Sequence, residues 1–474
     1  MEVIGREKAK EALNKNLKSK KSELVAIIGR RRIGKTFLIK KYLENDILFK
    51  FSGLHNGNLH EHLERFTKEI SVAMDVGLLV TARSWFDAFD LLRLLVNRTK
   101  KAKKKVIFLD EFPWMATNKS RFLTAFTDFW NSFAADRSDL LVIICGSSAS
   151  WMINKVLRNK GGLHNRVTDR IFLEPFTLEE TKKFLRYKNI VLSDYDIVKL
   201  YMSVGGVPFY LEQLEKGESI VQSIERICFA KGAILRMEYD ELMASLFNNS
   251  KHHRAVIETL SQNPNGLIRS KLLDKSKLNS GGGATTILEE LETSGFISSY
   301  VPYSRVSKDK IYKLRDHYVI FYLRFIINTR PSANPIWDKL FTSPSYSTWT
   351  GLAFEGVCIE HMDKIQEALG ISGVRSDASV WHFKGNQQFP GAQIDLLIDR
   401  ADGVINLVEI KFYAGPYAVT ADYANQVRQK ITIFNEVTGN KKAIFPTFIT
   451  TFGLLENIYS KELIQKELTI ASLF

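Results

Sequence analysis

The chain has 474 residues, 66 Lys and Arg against 52 Asp and Glu, a formal net charge of +14, and three cysteines. Its length suits about three domains with separate cores, and Cys145, Cys228 and Cys358, odd in number and far apart, exclude a disulfide framework or a cysteine metal site. No apolar run reaches membrane-spanning length and Met1 to Arg6 lacks a signal peptide's apolar core, so a cytoplasmic protein without a membrane partner is expected.

In chain order, the first feature is an apolar run, Leu24 to Ile28, followed by Gly29-Arg30-Arg31-Arg32-Ile33-Gly34-Lys35-Thr36 and a helical stretch, Phe37 to Leu43. Strand, G-x-x-x-x-G-K-T and helix make a P-loop that binds ATP or GTP. Backbone amides around Gly29 and Gly34 wrap the phosphates, Lys35 reaches the β and γ oxygens, and Thr36 is left for Mg²⁺. The three loop arginines read as part of a basic surface. His55, His60 and His62 read as a polar loop, since no cysteine or carboxylate cluster completes a metal site.

Lys105 to Glu111 reads as a buried parallel strand ending in two carboxylates. In a P-loop enzyme Asp110 holds Mg²⁺ and Glu111 polarises the attacking water. A third buried strand, Leu140 to Cys145, ends in Gly146-Ser147-Ser148, where Ser147 can sense the γ-phosphate.

Residues 1 to 173 hold 32 basic and 18 acidic side chains, whereas residues 341 to 474 hold 11 and 14. The positive excess belongs to the P-loop segment, and a polyanion, DNA or RNA, is its natural partner. The run Arg98 to Lys105, six of eight residues basic, is its densest part and also fits a solvated helix end.

Thr177-Leu178-Glu179-Glu180 reads as a capping box opening a helical lid, interrupted at Gly205-Gly206-Val207-Pro208. Helices at His253 to Leu260, around Lys271 and from Ala284 to Thr293, then strands Phe296 to Tyr300 and Lys310 to Leu314, give the layout of a winged helix. Its third helix carries Glu289 and Glu290, acidic for a DNA reader, so an interdomain packing module is the alternative.

Gln393 to Asp399 and Val404 to Phe412 form a hairpin whose loop, Ala401-Asp402-Gly403, places glycine in the left-handed position. That register sets Asp395 across from Glu409, and strand alternation puts Glu409 and Lys411 on one face. Two carboxylates suit Mg²⁺ or Mn²⁺, and the lysine can orient water or neutralise a developing phosphorane. Glu355, Cys358, Met362, Ile365 and Leu369 share one face of a helix ending near Gly370, so Glu355 lies in an apolar stripe and requires a partner. Gln426, on the helical stretch Ala421 to Lys430, supplies a further polar contact.

The motifs together resemble the archaeal-type AAA-like P-loop ATPases of the STAND kind that carry a C-terminal PD-(D/E)XK nuclease-like domain. The resemblance rests on Ile4-Gly5-Arg6-Glu7, the P-loop, Asp110-Glu111-Phe112-Pro113-Trp114, Cys145-Gly146-Ser147, Gly161-Gly162-Leu163-His164-Asn165-Arg166 and Gly205-Gly206-Val207-Pro208. It implies ATP as the nucleotide and an arginine finger, Arg166 or Arg170, often offered to a neighbouring subunit of a homo-oligomer. The nuclease motif maps onto Glu355, Asp395 and Glu409-Ile410-Lys411, with Ile394 standing where the signature has Pro.

The expected fold is multidomain α/β: a P-loop parallel-sheet ATPase core over 1–175, a helical lid over 176–245, a winged helix over 246–335 and a PD-(D/E)XK nuclease-like domain over 336–474. The expected function is an ATP-hydrolysing switch or motor coupled to Mg²⁺-dependent phosphodiester cleavage, in DNA defence, repair or mobile-element control. The alternatives are a DNA-binding or signalling switch with a non-catalytic C-terminal domain, and a transcription regulator.

Overall fold

Runs of apolar residues without alternation are stable as strands only where both faces of a sheet are covered. A computed structural model, describing all residues except 1, 78, 100–103, 159–162, 164, 248, 306–308 and 331–334, has this arrangement at β1 (Glu23–Ile28), β3 (Lys105–Asp110) and β4 (Leu140–Gly146), every residue of which is buried. With β2 (Ile47–Ser52) and β5 (Asp169–Phe172) they form a parallel sheet in the order β2-β3-β4-β1-β5.

Alternate side chains of these strands feed two cores. Leu24, Ala26, Ile28, Ile107, Leu109, Val142 and Ile144 pack with Phe66, Trp85, Phe89 and Phe126 from the helices Leu59–Met74, Trp85–Arg98 and Phe122–Phe129. Val25, Ile27, Val106, Phe108, Ile143 and Cys145 face Leu13, Leu38 and Ile39 from Glu7–Lys18 and Lys35–Tyr42. Each such aliphatic side chain contributes about 1.5–3 kcal/mol of burial, so the strands' polar ends, not their middles, are left for chemistry.

The chain divides into two compact units, Met1–Pro175 and Phe176–Phe474. The second opens with the helix Leu178–Tyr187, whose capping box is formed: Thr177 Oγ1 accepts from the Glu180 amide at 3.2 Å and the Glu180 carboxylate accepts from the Thr177 amide at 3.1 Å. At Gly206 the chain passes so close to Phe176 that a Cβ would lie 1.9 Å from the Phe176 carbonyl oxygen. That contact, with the Phe176 amide donating to the Gly206 carbonyl at 2.6 Å, explains the break between the helices Asp194–Val204 and Pro208–Glu212.

Helices Lys251–Ser261, Arg269–Lys275 and Gly282–Thr293 precede an antiparallel sheet of β6 (Leu267–Ile268), β7 (Ile297–Tyr300) and β8 (Ile311–Leu314) in the order β6-β8-β7. The two-residue β6 has no periodicity to announce it and is absent from the sequence expectation. A second, mixed sheet runs β13-β12-β11-β10-β9, built from β9 (Ser376–Phe383), β10 (Ala392–Arg400), β11 (Val404–Lys411), β12 (Ala443–Thr450) and β13 (Lys466–Thr469). β11 and β12 are parallel and joined through the helix Ala421–Thr438.

One expected element is corrected. The helix expected to run through Glu355 to Gly370 is two, Pro344–Glu360 and Met362–Ala368, broken at His361 (φ −108°, ψ 34°). The His361 ring is engaged elsewhere: Nδ1 donates to the Val357 carbonyl at 2.8 Å and Nε2 accepts from the Leu178 amide at 3.0 Å. Burial keeps His361 below the usual histidine range, which suits the neutral ring this pairing requires.

Candidate functional site

The first cluster forms where β1, β3 and β4 end. Gly29 is forced by contact, since a Cβ there would meet the Leu173 carbonyl oxygen at 2.3 Å, and Gly34 by its left-handed backbone, φ 86°. Lys35, buried at the start of its helix, donates from Nζ to the carbonyls of Gly29 at 2.6 Å and Arg30 at 2.7 Å, so the ammonium lies within the loop. The Arg6 guanidinium donates to the Ile33 carbonyl at 2.9 Å and to the Glu174 carbonyl, fastening the loop to the N-terminal segment. Arg30 is 5% exposed, which removes it from the basic surface assigned to the three loop arginines.

Thr36 Oγ1 donates to Asp110 Oδ2 at 2.7 Å. A hydroxyl from the start of the helix after the loop and a carboxylate from the end of β3 are the hard oxygen donors that Mg²⁺ accepts, so this pair fits the ion. Glu111 follows in a left-handed conformation, φ 45°, which turns its side chain across to β4. Its Oε2 accepts from the Ser147 hydroxyl at 2.8 Å and amide at 3.1 Å. The proposed γ-phosphate sensor and the proposed base are thus hydrogen-bonded to each other. Cys145, on β4 two residues before Ser147, is an inert buried thiol, its pKa driven up by burial and by Asp110.

Arg166 and Arg170 are both exposed, Arg170 on β5. Gly161, Gly162 and His164 of the neighbouring motif lie outside the described residues. In the basic run, Lys100, Lys101 and Lys103 also lie outside them, whereas Lys104 and Lys105 are buried and spent on structure. Lys104 Nζ donates to the carbonyls of Asn16, Ser19 and Lys21, and Lys105 pairs with Asp139 at 2.9 Å. His62 is likewise a fold element: Nε2 accepts from the Leu54 amide and Nδ1 bonds the Asn58 carbonyl.

The second cluster lies on the β10–β11 hairpin. Observed pairs such as Leu396 with Val408 and Asp399 with Ile405 have the register expected from the three-residue loop, with Gly403 at φ 85°. The pairing of β10 with β9 shifts by one between Ile394 and Leu397, a bulge that takes in Asp395 and Leu396. Bulges re-aim side chains, and here Asp395 Oδ2 accepts from the Ile410 amide at 3.0 Å and stands 3.8 Å from Lys411 Nζ.

Glu409 is fully buried. Its Oε1 accepts from Lys430 Nζ at 2.6 Å, and its Oε2 accepts from the Tyr423 hydroxyl at 2.5 Å and from Lys411 Nζ at 3.4 Å. Glu355 joins the same electrostatic group. Burial first, and then Asp395, push it up to about 7, and burial with Glu409 raises Asp395. Burial alone would lower Lys411, but Asp395 and Glu409 more than offset it and hold the ammonium charged.

Three carboxylates suit a hard divalent cation by donor chemistry. Among the described residues, however, no group of three or more His, Cys, Asp or Glu side chains is arranged to hold a metal ion, and Glu409 is balanced by Lys411 and Lys430. Gln426, expected to contribute, is exposed on the helix Ala421–Thr438, which instead presents Tyr423 and Lys430. A signal for these two existed: Tyr423, Val427, Lys430 and Phe434 form one helical stripe, and a lysine within it needs a buried partner, as Glu355 does.

Residues 4–214 match the family model described as an ATPase domain predominantly from Archaea. An uncharacterized protein of Methanocaldococcus jannaschii is 26% identical over 371 residues, 77% of this chain and 78% of its own. The solved structure of a Walker-type ATPase of Pyrococcus abyssi has a similar fold, with a TM-score of 0.50 and 18% identity over 68% of this chain and 96% of that one. The match supports a P-loop ATPase domain with nucleotide and, as usual for such domains, Mg²⁺ use, and the Pyrococcus structure is a likeness of fold. Among the described residues no helix is long and apolar enough to cross a membrane.

Proposed function

We propose that the protein is an ATP-hydrolysing switch whose nucleotide cycle controls metal-dependent cleavage of a phosphodiester, most simply in DNA. The observation that carries this reading is the bulge-aimed Asp395 set beside the Ile410 amide and Lys411 on the hairpin that also holds Glu409. In this proposal residues 1–175 are the ATPase core, 176–245 a helical lid, 246–335 a winged helix and 336–474 a PD-(D/E)XK nuclease-like domain.

In the ATPase core, Lys35 leaves the Gly29 and Arg30 carbonyls for phosphate oxygens, and Thr36 with Asp110 would hold Mg²⁺. Glu111 takes the proton of the attacking water, its carboxylate aimed by Ser147. Arg166 or Arg170, both exposed, would serve as a finger toward a second copy of the chain. In the C-terminal part, Asp395, Glu409 and Glu355 are not arranged to hold a metal ion as they stand, and would have to draw together, with Glu409 released from its lysines, to hold Mg²⁺ or Mn²⁺, an ion that would supply charge neutralisation at the phosphate. Lys411 orients water beside the scissile phosphate. Cleavage of plasmid DNA by the intact protein with Mg²⁺ or Mn²⁺ tests the reading: the unaltered chain should cut, and Asp395→Ala should not. Equal behaviour of the two would sink it.

A second reading, a DNA-binding or signalling switch with a non-catalytic C-terminal part, is favoured by the two lysines and the tyrosine that already satisfy Glu409. It predicts ATP-dependent DNA binding with no cleavage under any metal.

A further inference from the structure

β11 ends at Lys411, and two residues on, Tyr413 is 57% exposed although its backbone is firmly held, its amide donating to the buried Thr451 Oγ1 at 2.7 Å. Its ring meets that of Tyr417 at a centroid distance of 6.1 Å and an interplanar angle of 84°, and Tyr417 meets Tyr423 at 5.9 Å and 78°. Tyr423 donates to Glu409, and Lys411 Nζ lies 5.1 Å over the Tyr423 ring. Three tyrosines therefore lead from the surface to the carboxylates of the second cluster. The middle rung is fixed as well: the Tyr417 amide donates to the Gly453 carbonyl at 2.8 Å, and the Leu455 amide donates to the Tyr417 carbonyl at 2.9 Å.

Rings set nearly at right angles cannot sandwich a ligand between them. They brace one another edge to face, so what this row offers is the free face of its outermost member. A held aromatic face at the outer end of a row that leads to a lysine and the proposed phosphodiester-cleaving cluster suits an unpaired nucleobase, because stacking costs little ordering on a platform already fixed and needs no base identity. A duplex keeps its bases stacked on each other and has no such face to give. We propose that Tyr413 is a base-stacking residue that seats one base of a single strand at the outer end of the tyrosine row leading to the Asp395–Glu409–Lys411 cluster, with Tyr417 as its brace. The proposal rests on the phosphodiesterase reading above and specifies its substrate as single-stranded nucleic acid.

Two measurements on the full chain in EDTA, where cutting is prevented, test it. Fluorescence anisotropy compares a 15-mer of dT with a 15-base-pair duplex, and ultraviolet cross-linking of a 5-iodouracil-substituted strand is mapped by peptide mass spectrometry. The strand should cross-link at Tyr413. Tyr413→Ala should weaken dT binding at least about fivefold, Tyr413→Trp should restore it, and duplex binding should not change. Unchanged dT binding by Tyr413→Ala, or cross-links only elsewhere, overturns the inference even if the protein cuts. Cross-linking at Tyr413 in a protein that never cuts would uphold the stacking site and refute the nuclease reading instead.

Discussion

Thr36 and Asp110, 74 positions apart, meet through a 2.7 Å hydrogen bond from hydroxyl to carboxylate at the adjoining ends of the P-loop and β3. In the proposed ATPase site this pair stands with two others, Lys35 on the loop carbonyls and Ser147 on Glu111, as the groups that would meet a nucleotide and its metal.

Among the described residues, Lys35 donates to two backbone carbonyls, those of Gly29 and Arg30, which carry no charge to lose. Lys35→Ala should therefore fold, with an unchanged far-ultraviolet circular dichroism spectrum, while ATP affinity measured with a fluorescent analogue falls about a hundredfold or more. Retained affinity would remove the loop from the account.

Glu111 and Ser147 share one hydrogen-bonded carboxylate, so they should fail in sequence. Glu111→Gln should keep ATP binding and lose about 10²–10⁴-fold in turnover. Ser147→Ala should lose less, because it frees the carboxylate's orientation without removing it. A larger loss in Ser147→Ala than in Glu111→Gln, read by phosphate release, would contradict these roles.

Gly206 tests the fold of the second unit. A methyl group there would lie 1.9 Å from the Phe176 carbonyl oxygen and within 2.9 Å of two more backbone atoms of that residue, none of them the end of a flexible side chain, so Gly206→Ala should lower stability by about 3 kcal/mol or more. Thermal unfolding of Gly206→Ala beside Gly295→Ala, a position with nothing near its Cβ but with φ 76°, separates crowding from backbone strain. The first should be the worse.

Glu360 supplies the pH dependence. Burial opposes its charge, but His317 at 3.0 Å and Arg315 at 3.1 Å more than offset this and hold it at about 2. The folded value lies below the unfolded one of 4.5, so its contribution is complete above about pH 4.5 and is lost as pH falls toward 2. Glu360→Gln should cost about 3 kcal/mol at pH 7 and progressively less below pH 4.5 in urea titrations.

Much of this was legible from residue order because it depends on local pattern. Consecutive buried residues gave β1, β3 and β4, the P-loop spacing placed Lys35 and Thr36, and the Ala401-Asp402-Gly403 loop fixed the hairpin register that brings Asp395 beside β11. What escaped depended on contacts between distant segments. His361 breaks a helix because it serves Leu178, and Lys104 is buried because three carbonyls from another segment surround it. Tyr423 and Lys430 join the second cluster because a helix crosses the sheet there, a placement that their stripe allows but does not aim.

The proposed coupling between the two sites is tested most directly by cleavage of one DNA substrate with metal, with and without ATP, by the unaltered chain and by Lys35→Ala. ATP should change the cleavage rate of the unaltered chain by about tenfold or more and leave that of Lys35→Ala at the nucleotide-free value. A rate that responds to ATP equally in both proteins, or in neither, would contradict the account.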